Sequence, residues 1–184
     1  MSIQAQKFLI SVDDYHKMGE AGILPERGVE LINGEIFEMS PIGSRHVKTV
    51  NKLTKLLSKM LGDEAIVSIQ NPIIADNLSE PEPDIAILKY RSDFYGDKLP
   101  NGEDVLLIIE VADTSLSYDR QLKLPLYASS GVSECWLIDL ENLEIHAYWE
   151  PSGRNYRFSQ LAKAGDTLSA KNFNLEIEVS TIFS

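Results

Sequence analysis

The sequence predicts one mixed α/β domain of the α+β kind, a mixed sheet with two main helices. Three observations carry this prediction. Residues 44–62, SRHVKTVNKLTKLLSKMLG, place Val47, Val50, Leu53, Leu57 and Leu61 at helical spacing. DIAIL (84–88) and DVLLIIEVA (104–112) are nearly continuous Ile, Leu and Val, as in strands buried on both faces at the centre of a sheet. ECWLIDLENLEIHAYWE (134–150) alternates apolar residues on either side of DLEN and reads as a hairpin. A chain of 184 residues suits a single domain, expected to span 1–184, around one core.

The elements follow in order. SVDDYHKM (11–18) reads as a short helix, with Ser11 as N-cap and Asp13 and Asp14 in the first turn. GVELINGEIFEMS (28–40) reads as two strands joined through Asn33-Gly34, a strong short hairpin signal. The long helix 44–62 stops at Gly62. AIVSIQNPII (65–74) reads as strand, break, strand, and the strands at 84–88 and 104–112 follow. SYDRQLKLPLYASSG (117–131) reads as a second main helix, capped by Ser117 and ended by Gly131, in which Pro125 must bend the helix or open one backbone bond. The 134–150 hairpin comes next, and residues 157–183 read as further short strands.

Composition narrows the function. A hydrophobic fraction of 43% and a charged fraction of 24% are those of a globular chain. No apolar stretch reaches the roughly 18–20 residues that span a bilayer, so no membrane association is expected. No basic region followed by a long apolar run opens the chain, and Cys135 is the only cysteine, so a cytoplasmic protein without an internal disulfide or thiolate zinc cluster is expected. The net charge of −11 opposes loose, charge-driven binding to nucleic acid. One local exception is the long helix, where Lys48, Lys52, Lys55 and Lys59 share a face that Arg45 and His46 open, with no acid before Asp63. Such a ridge can contact phosphates, and it is equally the solvated face of an amphipathic helix.

Two carboxylates sit where water alone does not explain them. Glu110 lies within an apolar strand and shares a face with Leu106, Ile108 and Ala112, where an ionised carboxylate needs a metal, a lysine or a hydrogen-bond donor. Asp84 shares a face with Ala86 and Leu88, whereas Glu80 and Glu82 read as solvated. Two central strands, each with an acid near one end, could offer both to one Mg²⁺, which takes one or two carboxylates and keeps several waters. A strand-end residue facing water, or a salt bridge to a helix, is the plainer alternative. On the following helix Asp119, Lys123 and Tyr127 fall at i, i+4 and i+8, so Lys123 either reaches back to Glu110 or pairs with Asp119 on a solvated stripe.

ELINGEI, the PD of EPEPDIAIL, IIEVADTS and YDRQLKLPLYASSGVSECWLID, in that order, resemble a large bacterial "putative restriction endonuclease" family within the PD-(D/E)XK nuclease superfamily. The likeness runs from about residue 10 to about residue 150. It implies a restriction-endonuclease-like core, a central mixed sheet flanked by helices with added β-hairpins. It implies that Asp84 and Glu110 are metal ligands, joined by the backbone carbonyl of Val111, and that Glu30 is an additional upstream acid. Ala112 stands where the superfamily's simplest pattern has its lysine, and Lys123 matches the place where this family keeps one. The resemblance also places His46 and Tyr127 as site support. The implied activity is Mg²⁺- or Mn²⁺-dependent hydrolysis of DNA phosphodiesters, with a homodimer expected and the hairpin around Tyr148 and Trp149 as a candidate contact. Two other functions fit the same residues: a non-cleaving nucleic-acid-binding or regulatory protein on the same fold, and a hydrolase of small phosphate esters.

Overall fold

The computed structural model describes residues 6–25 and 27–184. Helix α1 (Val12–Glu20) precedes the hairpin β1 (Val29–Ile32) and β2 (Glu35–Glu38), then α2 (Ser44–Leu61), β3 (Ala65–Ile69), β4 (Ile85–Lys89) and β5 (Val105–Ala112). A helical crossover follows in three pieces: α3 (Leu116–Tyr118), a wide π turn (Asp119–Lys123) and α4 (Leu124–Ser129). Strands β6 (Glu134–Asp139), β7 (Glu144–Ser152), β8 (Asn155–Lys163), β9 (Thr167–Ser169) and β10 (Glu176–Glu178) and a short α5 (Ser180–Phe183) complete the chain.

The main sheet has six strands in the order β3-β4-β5-β6-β7-β8, antiparallel throughout except for the parallel pair β5–β6. A parallel pair needs a crossover of a dozen or more residues, and the helical stretch after β5 supplies it. The expected α+β class, mixed central sheet and added hairpins are therefore what the chain builds. β5 is buried on both faces, as its unbroken apolar run predicts. Leu107, Ile109 and Val111 pack towards Val50, Leu53 and Leu57 of α2, together with Trp136 and Ile138. Ala86, Ile108, Cys135 and Leu137 pack on the other face with Tyr127 and Val132 of the crossover.

Local signals explain most element ends. Ser11 caps α1 by accepting from the Asp14 N–H at 3.2 Å. Asn33 and Gly34 turn the first hairpin with φ of 52° and 77°, and a Cβ on Gly34 would lie 2.7 Å from that of Leu9. Gly62 ends α2 with φ of 51°.

Several expectations need correction. Val47 is exposed, and the buried stripe of α2 is His46, Thr49, Val50, Leu53, Leu57 and Leu61. At about 100° per residue Val47 lies roughly a quarter-turn from the centre of that stripe. No second strand follows β3: Gln70 takes φ of 49° and turns the chain, Pro72 has no N–H to give a ladder, and only an isolated bridge joins Ile74 to Asn101. Ser117 lies inside the crossover helix rather than capping it, and Ser115 precedes the first helical residue. Pro125 does open the helix: just before it the Leu124 N–H reaches back to Asp119 O, the five-residue bond of a π turn. In the tail, β8 is a nine-residue strand paired with β7, and α5 is helical. Trp136 is fully buried and donates to Glu134 Oε1 at 2.7 Å, while Trp149 stacks on Phe158 and Tyr148 packs near Tyr156. Among the described residues, no helix is long and apolar enough to cross a membrane.

Candidate active site

The register of β4 against β5 pairs Ile85 with Ile109, and one step further along the same antiparallel count puts Asp84 opposite Glu110. The two acids are joined through the backbone. The Asp84 N–H donates to Glu110 Oε2 at 3.2 Å, and the Val111 N–H donates to Asp84 Oδ2 at 2.9 Å. Asp84 keeps some access to solvent, with 15% of its side chain exposed, whereas Glu110 is buried.

Lys123 reaches this pair from the π turn. Its Nζ lies 3.3 Å from Glu110 Oε1 and 3.1 Å from Glu30 Oε2, and it donates to the carbonyl of Glu82 at 3.3 Å. The alternative Asp119–Lys123 pairing is not made: the widened turn disrupts i, i+4 neighbours, and Asp119 instead accepts from Ser115 Oγ at 2.8 Å. Glu30, from β1, accepts from the Tyr118 hydroxyl at 3.0 Å and from the Glu82 N–H at 3.2 Å. Tyr127 donates to Glu110 Oε1 at 2.5 Å. His46, on the first turn of α2, approaches from the other side and donates from Nε2 to Asp84 Oδ2 at 2.9 Å. Five separate segments therefore meet here (β1, α2, the entrance to β4, β5 and the crossover), and Glu30, Asp84, Glu110, Lys123, His46, Tyr127 and the Val111 N–H come together.

Charge at this spot is unbalanced. Glu30, Glu110, Asp119 and Lys123 are each at most 5% exposed, and Asp84 adds a further acid. Burial pushes the Glu110 carboxyl up to about 8, with Lys123 working against the rise and Asp119 and Asp84 adding to it. Burial opposes the Lys123 ammonium, but Glu110 and Glu30 hold it above the ordinary lysine range. Burial likewise opposes protonation of His46, and Asp84 more than offsets it, so the imidazole is raised. Its Nδ1 is buried with no hydrogen-bond partner among the described residues. An excess of buried carboxyl over ammonium is the environment that accepts a divalent cation. Mg²⁺ needs only one or two protein carboxylates, so Asp84 and Glu110 fit its chemistry.

The basic face of α2 is more divided than its spacing implies. Lys48, Lys55 and Lys59 are exposed, but Lys52 donates to Ser184 O at 2.6 Å and to Ser184 Oγ at 2.7 Å. Arg45 bridges Asp113 at 3.1 Å and donates to the Leu140 carbonyl. Two residues read as solvated are not: Glu80 is buried and accepts from His16 Nε2 at 2.7 Å, and Glu82 is half-buried. Tyr118 opens the YDRQLKLPLYASSG stretch but nothing in the sequence gives its hydroxyl a role, and the Glu82 main chain carries no side-chain signal at all.

A second group of ligand-type atoms lies on the β6–β7 hairpin. Asp139, Glu144 and His146 hold theirs within 4.8 Å of one another, the one such trio among the described residues. Each already has protein partners. Asp139 accepts from the N–H groups of Glu141 and Asn142 and from Asn142 Nδ2, and Glu144 lies 3.0 Å from Lys163 Nζ and 3.1 Å from His146.

Comparison with known proteins identifies the family and the fold. Residues 12–181 match the model of the Uma2 family, described as "Putative restriction endonuclease". The fold matches a crystal structure of a "putative nuclease belonging to DUF820" from Anabaena variabilis, with a TM-score of 0.75 and 15% identity over 95% of this chain and 97% of that one. No curated protein matches the sequence.

Proposed function

The chain belongs to the Uma2 family of restriction-endonuclease-like proteins, and from that premise we propose that it is a metal-dependent nuclease hydrolysing DNA phosphodiester bonds. The observation that carries the reading is the meeting of Asp84 and Glu110 on neighbouring strands with the Lys123 ammonium 3.3 Å from Glu110. Asp84, Glu110 and the Val111 carbonyl would hold Mg²⁺ or Mn²⁺, which when bound polarises the scissile phosphoryl group and makes a bound water acidic.

The chain's own residues do the rest. Lys123 orients the attacking water and offsets charge that builds on the phosphoryl oxygens. Glu30 and the Glu82 carbonyl fix the ammonium in place. Tyr127 holds Glu110, and His46 holds Asp84, so neither acid need reorganise during reaction. Exposed Lys48, Lys55 and Lys59 offer the backbone a local track on an otherwise acidic surface.

The test is cleavage of single- and double-stranded DNA by purified protein with Mg²⁺, with Mn²⁺, and after chelation. Cleavage that needs the cation and falls by on the order of 10³ in Asp84→Asn and Glu110→Gln supports the nuclease. Undiminished cleavage by the variants sinks it, and binding of DNA without cleavage favours the non-cutting reading.

A further inference from the structure

Beside the acids a cleft of about 450 Å³ opens between α1 and the segment that enters β4, its wall including Tyr15, His16, Leu24 and Pro25 and the three acids Glu20, Glu80 and Glu82. Its volume is that of a small-ligand pocket. It abuts the centre through one residue: the Glu82 N–H donates to Glu30 and its carbonyl accepts from Lys123, while its side chain lines the cleft.

The lining is chemically selective. Tyr15, Leu24 and Pro25 offer flat or apolar surface. His16 is fixed through Nε2 to the buried Glu80 carboxyl at 2.7 Å. The Glu82 carboxyl is half-buried, and among the described residues no hydrogen-bond donor reaches it. A phosphate is repelled by such a wall. A planar, uncharged group that brings N–H donors is not, since an ionised carboxylate only accepts.

We propose that this cleft takes one nucleobase of the bound strand, with the Glu82 carboxyl accepting from the exocyclic amino group of cytosine, adenine or guanine and thereby disfavouring thymine. The inference rests on the nuclease reading for its ligand. The phosphodiester backbone lies on the side of Asp84, Glu110 and Lys123, and the base turns towards α1, so the backbone of Glu82 braces the reaction while its side chain reads sequence. A carboxylate accepting from an amino group is an established direct contact, and thymine carries no such group.

The test is binding of short homo-oligonucleotides to the wild type and to Glu82→Gln, read from the His16 ring signals by NMR and from fluorescence anisotropy. The expected result is that oligo(dC) and oligo(dA) shift the His16 signals and bind about fivefold tighter than oligo(dT), the low end of one base contact. Glu82→Gln, whose amide can also donate to thymine, should bring the ratio to within about twofold. Equal affinities in the wild type, a preference that survives in Glu82→Gln, unmoved His16 signals, or no binding overturn the proposal. Its failure is distinguishable from that of the nuclease reading. Base-selective binding without cation-dependent cleavage refutes only the nuclease, and cleavage without base preference refutes only the pocket.

Discussion

Two acidic groups lie on this sheet, and they differ in how they are held. The β6–β7 hairpin brings Asp139, Glu144 and His146 within 4.8 Å, from residues adjacent in sequence or register. The centre at Asp84 and Glu110 draws on five segments and is looser by that measure. Yet the hairpin atoms are already satisfied by turn N–H groups and by Lys163. At the centre, buried carboxyl groups outnumber the one ammonium. On the proposed reading, unbalanced buried charge rather than proximity of ligand atoms marks the cation site.

The largest expected contrast is in stability. Lys123→Met leaves Glu30 and Glu110 buried without their cation and should cost about 3–5 kcal/mol. Lys163→Met removes a partner that is 61% exposed, and the loss should stay below about 1 kcal/mol. Urea unfolding of both variants measures the difference, and equal losses would erase the distinction between the two regions.

Cation binding ranks next. Calorimetric titration with Mn²⁺ should show Glu110→Gln weakening binding by about tenfold or more, and His146→Ala leaving it within about twofold. The reverse ranking would move the ion to the hairpin.

The two regions also differ in their response to pH. Burial raises Asp119 above its ordinary 3.8, with Lys123 opposing. Burial pushes Asp139 the same way, but the Asn142 side chain and the Asn142 and Glu141 N–H groups outweigh it and lower the pKa. A raised carboxyl contributes stability that is fully present below pH about 3.8 and lost as pH rises through its folded value. A lowered one contributes stability present above about 3.8 and lost as pH falls through its folded value. Asp119→Asn should therefore gain stability relative to wild type as pH rises from 4 to 7. Asp139→Asn should lose stability at pH 7, with the deficit closing in acid. Thermal unfolding midpoints across pH 3–7 check both signs. Between the two lysine variants falls Tyr118→Phe, which removes one hydrogen bond to Glu30 and should cost about 1–2 kcal/mol in the same unfolding assay.

Much of the centre was legible because its parts sit in regular contexts. Glu110 stood out as a charge inside an apolar strand, and the strand period alone put it on a buried face. The long helix was clear from its leucines. Other parts had no such context. Whether β4 and β5 were neighbours is a matter of sheet order, which no local spacing encodes. The π turn that aims Lys123 depends on Pro125 meeting the packing of the crossover, and the buried state of Glu80 depends on His16 arriving from α1. Val47 misled because helical spacing fixes a face only to within about a quarter-turn.

Because β5 and β6 run the same way, the chain must climb back over the sheet before β6 can dock, and Lys123 rides on that return leg. A growing chain that has reached only Ala112 owns both acids and no ammonium beside them. For a nuclease of the kind proposed, arming of the centre is therefore tied to closure of the parallel pair, and a half-made molecule stays chemically blunt.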